Sequence, residues 1–248
     1  MKNKIIVASV FVLMSFINPS PKITIWMIGD STMSIKETKA YPETGWGMPF
    51  AYFFDSSVNI ENRAKNGRST RSFFAEKLWE PVAVNMKAGD YLFIQFGHND
   101  EVKTKATYTT PEDYIKYLKL YIETARTKKA TPVLITPVSR RDFDSAGNVK
   151  QTHPQYSDMA RNVAKEEQVI LIDLDEKSRV LYKKMGDENS KLLFMHLDSL
   201  EHPNYPVGRK DNTHFNELGA RKVAELVLDE IRKQLPELAS HLVVRTVK

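Results

Sequence analysis

The sequence predicts a doubly wound α/β sandwich with five parallel strands. Two patterns carry that expectation: brief apolar runs bounded by turn residues, and stretches of helical spacing between them. The runs cover residues 23–28, 58–60, 91–96, 132–136 and 169–172. The longer ones are apolar on nearly every position, as strands covered on both faces of a parallel sheet must be. Residues 111–129 read as a helix with Thr110 as its cap and Pro111 in its first turn. Tyr114, Leu118, Tyr121, Ile122 and Ala125 line one face of it. Similar spacing marks 156–168 and 215–235 as helices. Between the last two, residues 186–213 are rich in Asp, His, Asn, Pro and Lys, with a small apolar cluster at 192–195. That stretch reads as a long functional loop feeding the last helix. An open sheet of this kind binds ligands at the carboxyl ends of its strands.

The chain has 248 residues, 42% apolar and 27% charged, with no cysteine and a formal charge of +5. Its length suits one domain with a sizeable core. The composition excludes collagen-like, low-complexity and disulfide-stapled classes. The lack of cysteine excludes thiolate metal sites and a thiol nucleophile. Lys2 and Lys4, the apolar run 5–17 and the break Asn18-Pro19-Ser20-Pro21 read as a secretory signal peptide over residues 1–20. The run is shorter than the roughly 20 residues a bilayer span needs. The expectation is therefore a secreted or periplasmic protein, with 21–248 as one domain. Without Lys2 and Lys4 the formal charge falls from +5 to +3, too small a surplus to argue for nucleic acid.

Four short blocks carry chemistry. Gly29-Asp30-Ser31-Thr32-Met33 follows the first apolar run, which places Ser31 at a strand's carboxyl end. Met33 stands where a Gly-x-Ser-x-Gly elbow would need its second glycine, which disfavours that type of hydrolase. Asp211-Asn212-Thr213-His214 sits where the last helix is expected to begin. Three-residue spacing on a helical turn would let Asp211 orient the His214 ring, leaving the other nitrogen free to take a serine proton. Capping the helix is the other natural use of Asp211. The block 62–69 and the block Phe96-Gly97-His98-Asn99-Asp100 both follow strand candidates. Gly67 (backbone N–H), Asn99 (side-chain amide) and the N–H of Ser31 could together stabilise an oxyanion. A turn glycine and a loop-capping amide are their ordinary uses.

Taken together, these blocks resemble the SGNH (GDSL-type) hydrolases. The named residues of that family match Ser31, Gly67, Asn99 and His214, with Asp211 as the acid three positions before the histidine. The motifs GDSTM, NRAKNGRSTRSF, QFGHND, TPVSRR and DNTHF look like the rhamnogalacturonan acetylesterase branch. The resemblance implies a flavodoxin-like, three-layer α/β/α sandwich with a five-stranded parallel sheet. It also implies a serine esterase acting through Ser31, His214 and Asp211, with an oxyanion hole of Ser31, Gly67 and Asn99 and with no metal or cofactor. The implied substrate is an acetylated, acidic plant polysaccharide or oligosaccharide. No nucleic acid, no membrane after leader removal and a monomeric chain complete the expectation.

Arg68, Arg140, Arg141 and Arg209 lie in or near the strand-exit loops. Their guanidinium groups suit bidentate recognition of galacturonate carboxylates, internal ion pairs being the alternative use. Arg71 is a further candidate. Tyr205 and Trp46 could stack on sugar rings, whereas Trp79 lies on a helical apolar face and reads as packing. Three other readings stay open: an acetylxylan esterase, a metal-dependent hydrolase using His196, Asp198, His202, Asp211 and His214, or a noncatalytic carbohydrate-binding relative.

Overall fold

In the computed structural model, which describes residues 22–243, all five apolar runs are strands. They are β1 (Ile23–Gly29), β2 (Val58–Asn62), β3 (Tyr91–Gln95), β4 (Thr131–Ile135) and β5 (Ile170–Ile172). All pair in parallel, in the order β2-β1-β3-β4-β5. This is the flavodoxin-like order, whose direction of winding reverses between β1 and β3. Met27 of β1 is in register with Asn62 of β2 and with Phe93 of β3. The exits of the three strands therefore open onto one edge of the sheet. The signal peptide expected over 1–20 lies outside the described residues.

The helices are α1 (Gly47–Phe50), α2 (Thr70–Ala75), α3 (Glu80–Asn85), α4 (Pro111–Thr127), α5 (Pro154–Glu166), α6 (Leu174–Ser190), α7 (Glu217–Gln234) and α8 (Pro236–Ala239). Alternation along each strand sorts them into two layers. Ile25, Met27, Phe93, Val133 and Ile135 face one way, onto Phe50 of α1, Tyr182 of α6 and Val223, Val227 and Ile231 of α7. Trp26, Ile28, Leu92, Ile94 and Leu134 face the other way, onto α2, α3, α4 and α5. The result is the expected α/β/α sandwich. Helix α4 starts as its sequence dictates: the Thr110 hydroxyl accepts the Asp113 N–H at 3.2 Å, with Pro111, Glu112 and Asp113 in the first turn.

Two expectations need correction. Residues 186–213 are not one irregular loop. Their start is the end of α6, broken at Gly186 (φ 77°), and their remainder builds β6 (Phe194–Leu197) against β7 (Arg209–Phe215) as an antiparallel pair. The sequence of β7, RKDNTHF, has one apolar residue, so no alternation announces it. The last helix also begins later than expected, at Glu217, because the Asn216 side chain caps it by accepting the Gly219 N–H at 3.0 Å.

Gly219 shows how tightly α7 docks. A Cβ there would stand 1.8 Å from the Leu193 carbonyl oxygen. At an ordinary helix position Gly→Ala stabilises by roughly 1 kcal/mol. Here Gly219→Ala is expected to destabilise by about 1–3 kcal/mol through overpacking; a raised melting temperature would contradict this close approach.

Candidate active site

Strand β1 delivers Ser31 into a tight turn. The N–H groups of Met33 and Ser34 both donate to the Asp30 carbonyl, at 3.3 and 3.1 Å. The buried Asp30 carboxylate fastens the same turn from within, accepting the Thr32 N–H at 2.9 Å and the Thr32 hydroxyl at 2.8 Å. Gln95 at the end of β3 extends the fastening. Its amide donates to the Thr32 hydroxyl oxygen and its carbonyl accepts the Trp46 indole N–H, each at 2.6 Å. Within this frame Ser31 Oγ lies 3.0 Å from His214 Nε2.

Asp211 and His214 are brought together by a bulge, not by a helical turn. Phe194 pairs with Phe215, but the next residue, Met195, pairs with Asp211, so the ladder omits Asn212, Thr213 and His214. In a regular strand residues three apart would point to opposite faces. The released segment instead folds back over the acid: Asp211 Oδ1 accepts the N–H of Thr213 at 2.7 Å and of His214 at 3.0 Å. Asp211 Oδ2 then lies 2.8 Å from His214 Nδ1. Burial works to raise the Asp211 carboxyl, but the His214 ring and these amides hold it well below the usual carboxylate range. A carboxylate on Nδ1 fixes the tautomer in which Nε2 can accept a proton from the Ser31 hydroxyl.

The loops after β2 and β3 complete the cleft. Lys65 N–H donates to the Gly29 carbonyl at 3.0 Å, tying the first loop to the Ser31 turn. Gly67 adopts φ +76°, in the left-handed region that favours glycine, with nothing within 4 Å of its missing side chain. Asn99 is 4% exposed and its amide donates to the Arg68 carbonyl at 3.0 Å. Lys105 donates to Asn99 Oδ1 at 3.1 Å, an arrangement that leaves the second amide hydrogen free for a ligand. Among the described residues the backbone N–H groups of Ser31 and Gly67 donate to no protein acceptor. The arrangement can present a hydroxyl nucleophile beside a base, with donors available for a developing negative charge.

Residues 27–222 match the model of the GDSL-like Lipase/Acylhydrolase family. The chain belongs to this family. This GDSL-like hydrolase is thus a carboxylic ester hydrolase, and its relatives agree. It is 44% identical over 228 residues, 91% of this chain and 97% of the relative, to rhamnogalacturonan acetylesterase RhgT of Bacillus subtilis. A probable rhamnogalacturonan acetylesterase, YesY, of the same organism is 36% identical over 84% of this chain and 92% of its own. Among solved structures, YxiM of Bacillus subtilis superposes with a TM-score of 0.76 at 26% identity, covering 86% of this chain and 57% of that one.

The expected substrate residues of the hydrolase are mostly engaged within the protein. Arg141 is 6% exposed and donates to Ser190 Oγ at 3.0 Å, to Asn212 Oδ1 at 3.1 Å and to Asp187. Its role is to brace the bulge, and it does not reach the cleft surface. Arg140 donates to Thr213 Oγ1 at 3.2 Å and pairs with Glu101 at 3.1 Å. Arg209 bridges Asp211 at 2.6 Å and Glu43 at 3.0 Å. Arg68 pairs with Glu76 at 2.7 Å, and Arg71 donates to the carbonyls of Ala106 and Tyr108. Tyr205 donates to the Ala40 carbonyl at 2.8 Å. Trp46 has no exposed surface and Trp79 is 4% exposed, so both are core residues and Trp46 is no sugar platform. His196 lies 2.7 Å from Asn212 Oδ1, and among the described residues no three His, Asp or Glu side chains converge as a metal would require.

The structure adds contacts that the motifs left unassigned, together with Glu101 and His153 from outside them. His98 stands behind the Ser31 turn, its Nδ1 3.4 Å from Asp30 Oδ2 and its ring centroid 4.2 Å from that of His153. His153 Nδ1 in turn lies 2.9 Å from Glu101 Oε2. Burial chiefly, with the His153 ring adding and Asp30 opposing, lowers His98 to about 4. Burial pushes Asp100 up to about 7 against the Thr70 donors. Asp30 stays down at about 2, because His98 and Thr32 outweigh the cost of its burial. From pH 6.5 down to about 4 the unfolded chain binds a His98 proton that the folded chain refuses, so His98 lowers stability as pH falls, while the raised Asp100 carboxyl takes up a proton in the folded chain and opposes it across the same window. Asp30 adds its own loss only below about pH 4. Thermal unfolding across pH 7 to 4.5 should show His98→Gln gaining stability relative to the native chain as pH falls; a difference that does not change with pH would remove His98 as a cause.

Proposed function

We propose that this hydrolase removes acetyl groups from an acidic, rhamnogalacturonan-type pectic polysaccharide by a Ser-His-Asp mechanism. The observation that carries the reading is the chain Ser31 Oγ–His214 Nε2–His214 Nδ1–Asp211, closed at 3.0 and 2.8 Å beside free N–H donors. Ser31 Oγ attacks the acetyl carbonyl carbon while His214 Nε2 takes its proton. The oxyanion is held by the Ser31 and Gly67 N–H groups and the Asn99 amide. Collapse breaks the ester bond, and His214 returns the proton to the departing sugar hydroxyl. Water, deprotonated by His214, then attacks the acetyl-serine; acetate leaves and Ser31 regains its proton. Asp211 orients the imidazole and stabilises its charged form throughout. The likeness to rhamnogalacturonan acetylesterases supports the substrate, and the basic and apolar leader supports an exported enzyme.

The structure suggests different cations for substrate recognition than the sequence did. A cavity of about 430 Å³ runs beside the loop that carries Gly67; its lining includes Ile35, Leu78 and Pro81, the cations Arg63, Lys65 and Lys77, and one acid, Glu37, which pairs with Lys39. Lys65 and Lys77 are exposed and have no ion-pair partner among the described residues. Cations over an apolar floor suit a sugar that presents one apolar face and a carboxylate.

Acetate release should be measured on acetylated rhamnogalacturonan, homogalacturonan and xylan and on p-nitrophenyl acetate. Rhamnogalacturonan is expected to be preferred, Ser31→Ala to abolish release, and Asn99→Ala to raise the barrier by about 2.7–4 kcal/mol. A preference for xylan would overturn the substrate reading, and activity in Ser31→Ala would overturn the mechanism. Lys65→Ala/Lys77→Ala should raise KM on the acidic polymer roughly fivefold or more. Its rate on p-nitrophenyl acetate should stay within twofold of the native value; equal KM values on the polymer would discount the groove.

A further inference from the structure

Lys36 is a lysine in an unusual place. Its side chain is 2% exposed, and its ammonium donates at 2.6 Å to the Ser31 carbonyl, at 2.8 Å to Asn66 Oδ1 and at 2.8 Å to Glu43 Oε1. Those three partners account for all three hydrogens an ammonium offers. An interior cation costs several kcal/mol in lost hydration unless its partners are well placed. Each of its partners belongs to, or leads into, the catalytic centre. Ser31 is the nucleophile. Asn66 precedes Gly67, and its Oδ1 also accepts the Ser34 hydroxyl at 2.5 Å. Glu43, itself only 9% exposed, passes the connection to Arg209 at 3.0 Å, and Arg209 reaches Asp211 at 2.6 Å.

The contacts therefore close on themselves. From Ser31 Oγ the circuit runs through His214, Asp211, Arg209, Glu43 and Lys36 and returns to the Ser31 carbonyl. Positive and negative charges alternate along the part from Lys36 to Asp211, so every buried charge has an opposite neighbour. We propose that Lys36 is a positioning residue for ester hydrolysis. It clamps the nucleophile turn to the Gly67 loop and, through Glu43 and Arg209, to the acid that orients His214. This inference rests on the Ser31–His214–Asp211 mechanism proposed above. Its physical basis is that misplacing a reacting group by about 1 Å can cost on the order of a hundredfold in rate. Lys36→Met keeps an unbranched chain of similar length but leaves three acceptors without their donor, so it is expected to lower stability as well, and rate per active site has to be read separately from it.

The test compares Lys36→Met, Asn66→Ala and Ser31→Ala with the native full-length chain on p-nitrophenyl acetate. Assays are run well below each melting temperature, with active sites counted by a serine-directed phosphonate. Lys36→Met is expected to lose at least tenfold in kcat with KM within threefold. A role confined to stability would lower the melting temperature and leave kcat per active site intact. A folded Lys36→Met protein that loses less than tenfold in kcat overturns the proposal. Asn66 is exposed, so Asn66→Ala, held to the same tenfold threshold, decides the matter if Lys36→Met does not fold. Activity in Ser31→Ala would instead sink the underlying mechanism. An inactive Ser31→Ala beside a fully active Lys36→Met would sink this inference alone.

Discussion

The Asp211 carboxylate is the contact on which the cleft depends. One of its oxygens accepts two backbone N–H groups from the residues that follow it, and the other faces both His214 and Arg209. The first pair curls the chain, so that a histidine three positions on comes back over the acid. The second pair fixes the ring and keeps the carboxylate charged. None of this is compatible with a continuous ladder, so β7 releases three residues at this point. Arg141 restores support from outside by bonding Asn212 through its backbone N–H at 2.8 Å and its guanidinium at 3.1 Å. Arg141, which looks like a substrate ligand in the sequence, is here buried and spent on Asn212, Ser190 and Asp187.

The same centre is dense in buried charge. Lys36, Glu43, Asp30 and Asp100 are all little exposed, and His98 lies between Asp30 and His153. Such groups are poor sources of stability, because desolvation offsets most of their mutual attraction. What they provide is direction. A charged hydrogen bond is shorter and more demanding in geometry than a neutral one. A turn held by Asp30 on one side and Lys36 on the other has little freedom to drift. The two halves of the network also differ in their charge state. The Lys36–Arg209 side pairs full charges of opposite sign, whereas burial keeps the His98 ring neutral at pH 7 beside the Asp30 carboxylate.

Much of the architecture was legible because burial on both sheet faces leaves a simple mark. The apolar run at 91–96 has nowhere to go except a central strand, and Phe93 and Leu92 do face opposite cores. Helix α4 was equally plain, with Thr110, Pro111 and a regular apolar face. Helix α6 was not, since its buried positions are few and Gly186 interrupts it. Nor was β7, whose polar residues serve the site and not a core. Ser31, Gly67, Asn99, Asp211 and His214 could be named because their motifs are short and local. Arg68, Arg140, Arg141 and Arg209 could not be assigned partners, because an arginine reaches several residues that only the folded chain brings near. Lys36 and Glu43 carried no signal at all, being ordinary charged residues in a sequence with many.

By itself, then, the sequence determined the layered α/β plan and the strand exits at which Ser31, Gly67 and Asn99 lie. Those properties depend on hydrophobic periodicity and on local order along the chain. The tertiary structure decided the rest: that Asp211 and His214 meet across a bulge, that Arg68, Arg140, Arg141 and Arg209 pair within the protein and that a buried lysine closes the ring around Ser31. These depend on contacts between segments as far apart as Ser31 and His214. Which charge neutralises which is fixed by distance in space, and distance in space is what a linear sequence does not state.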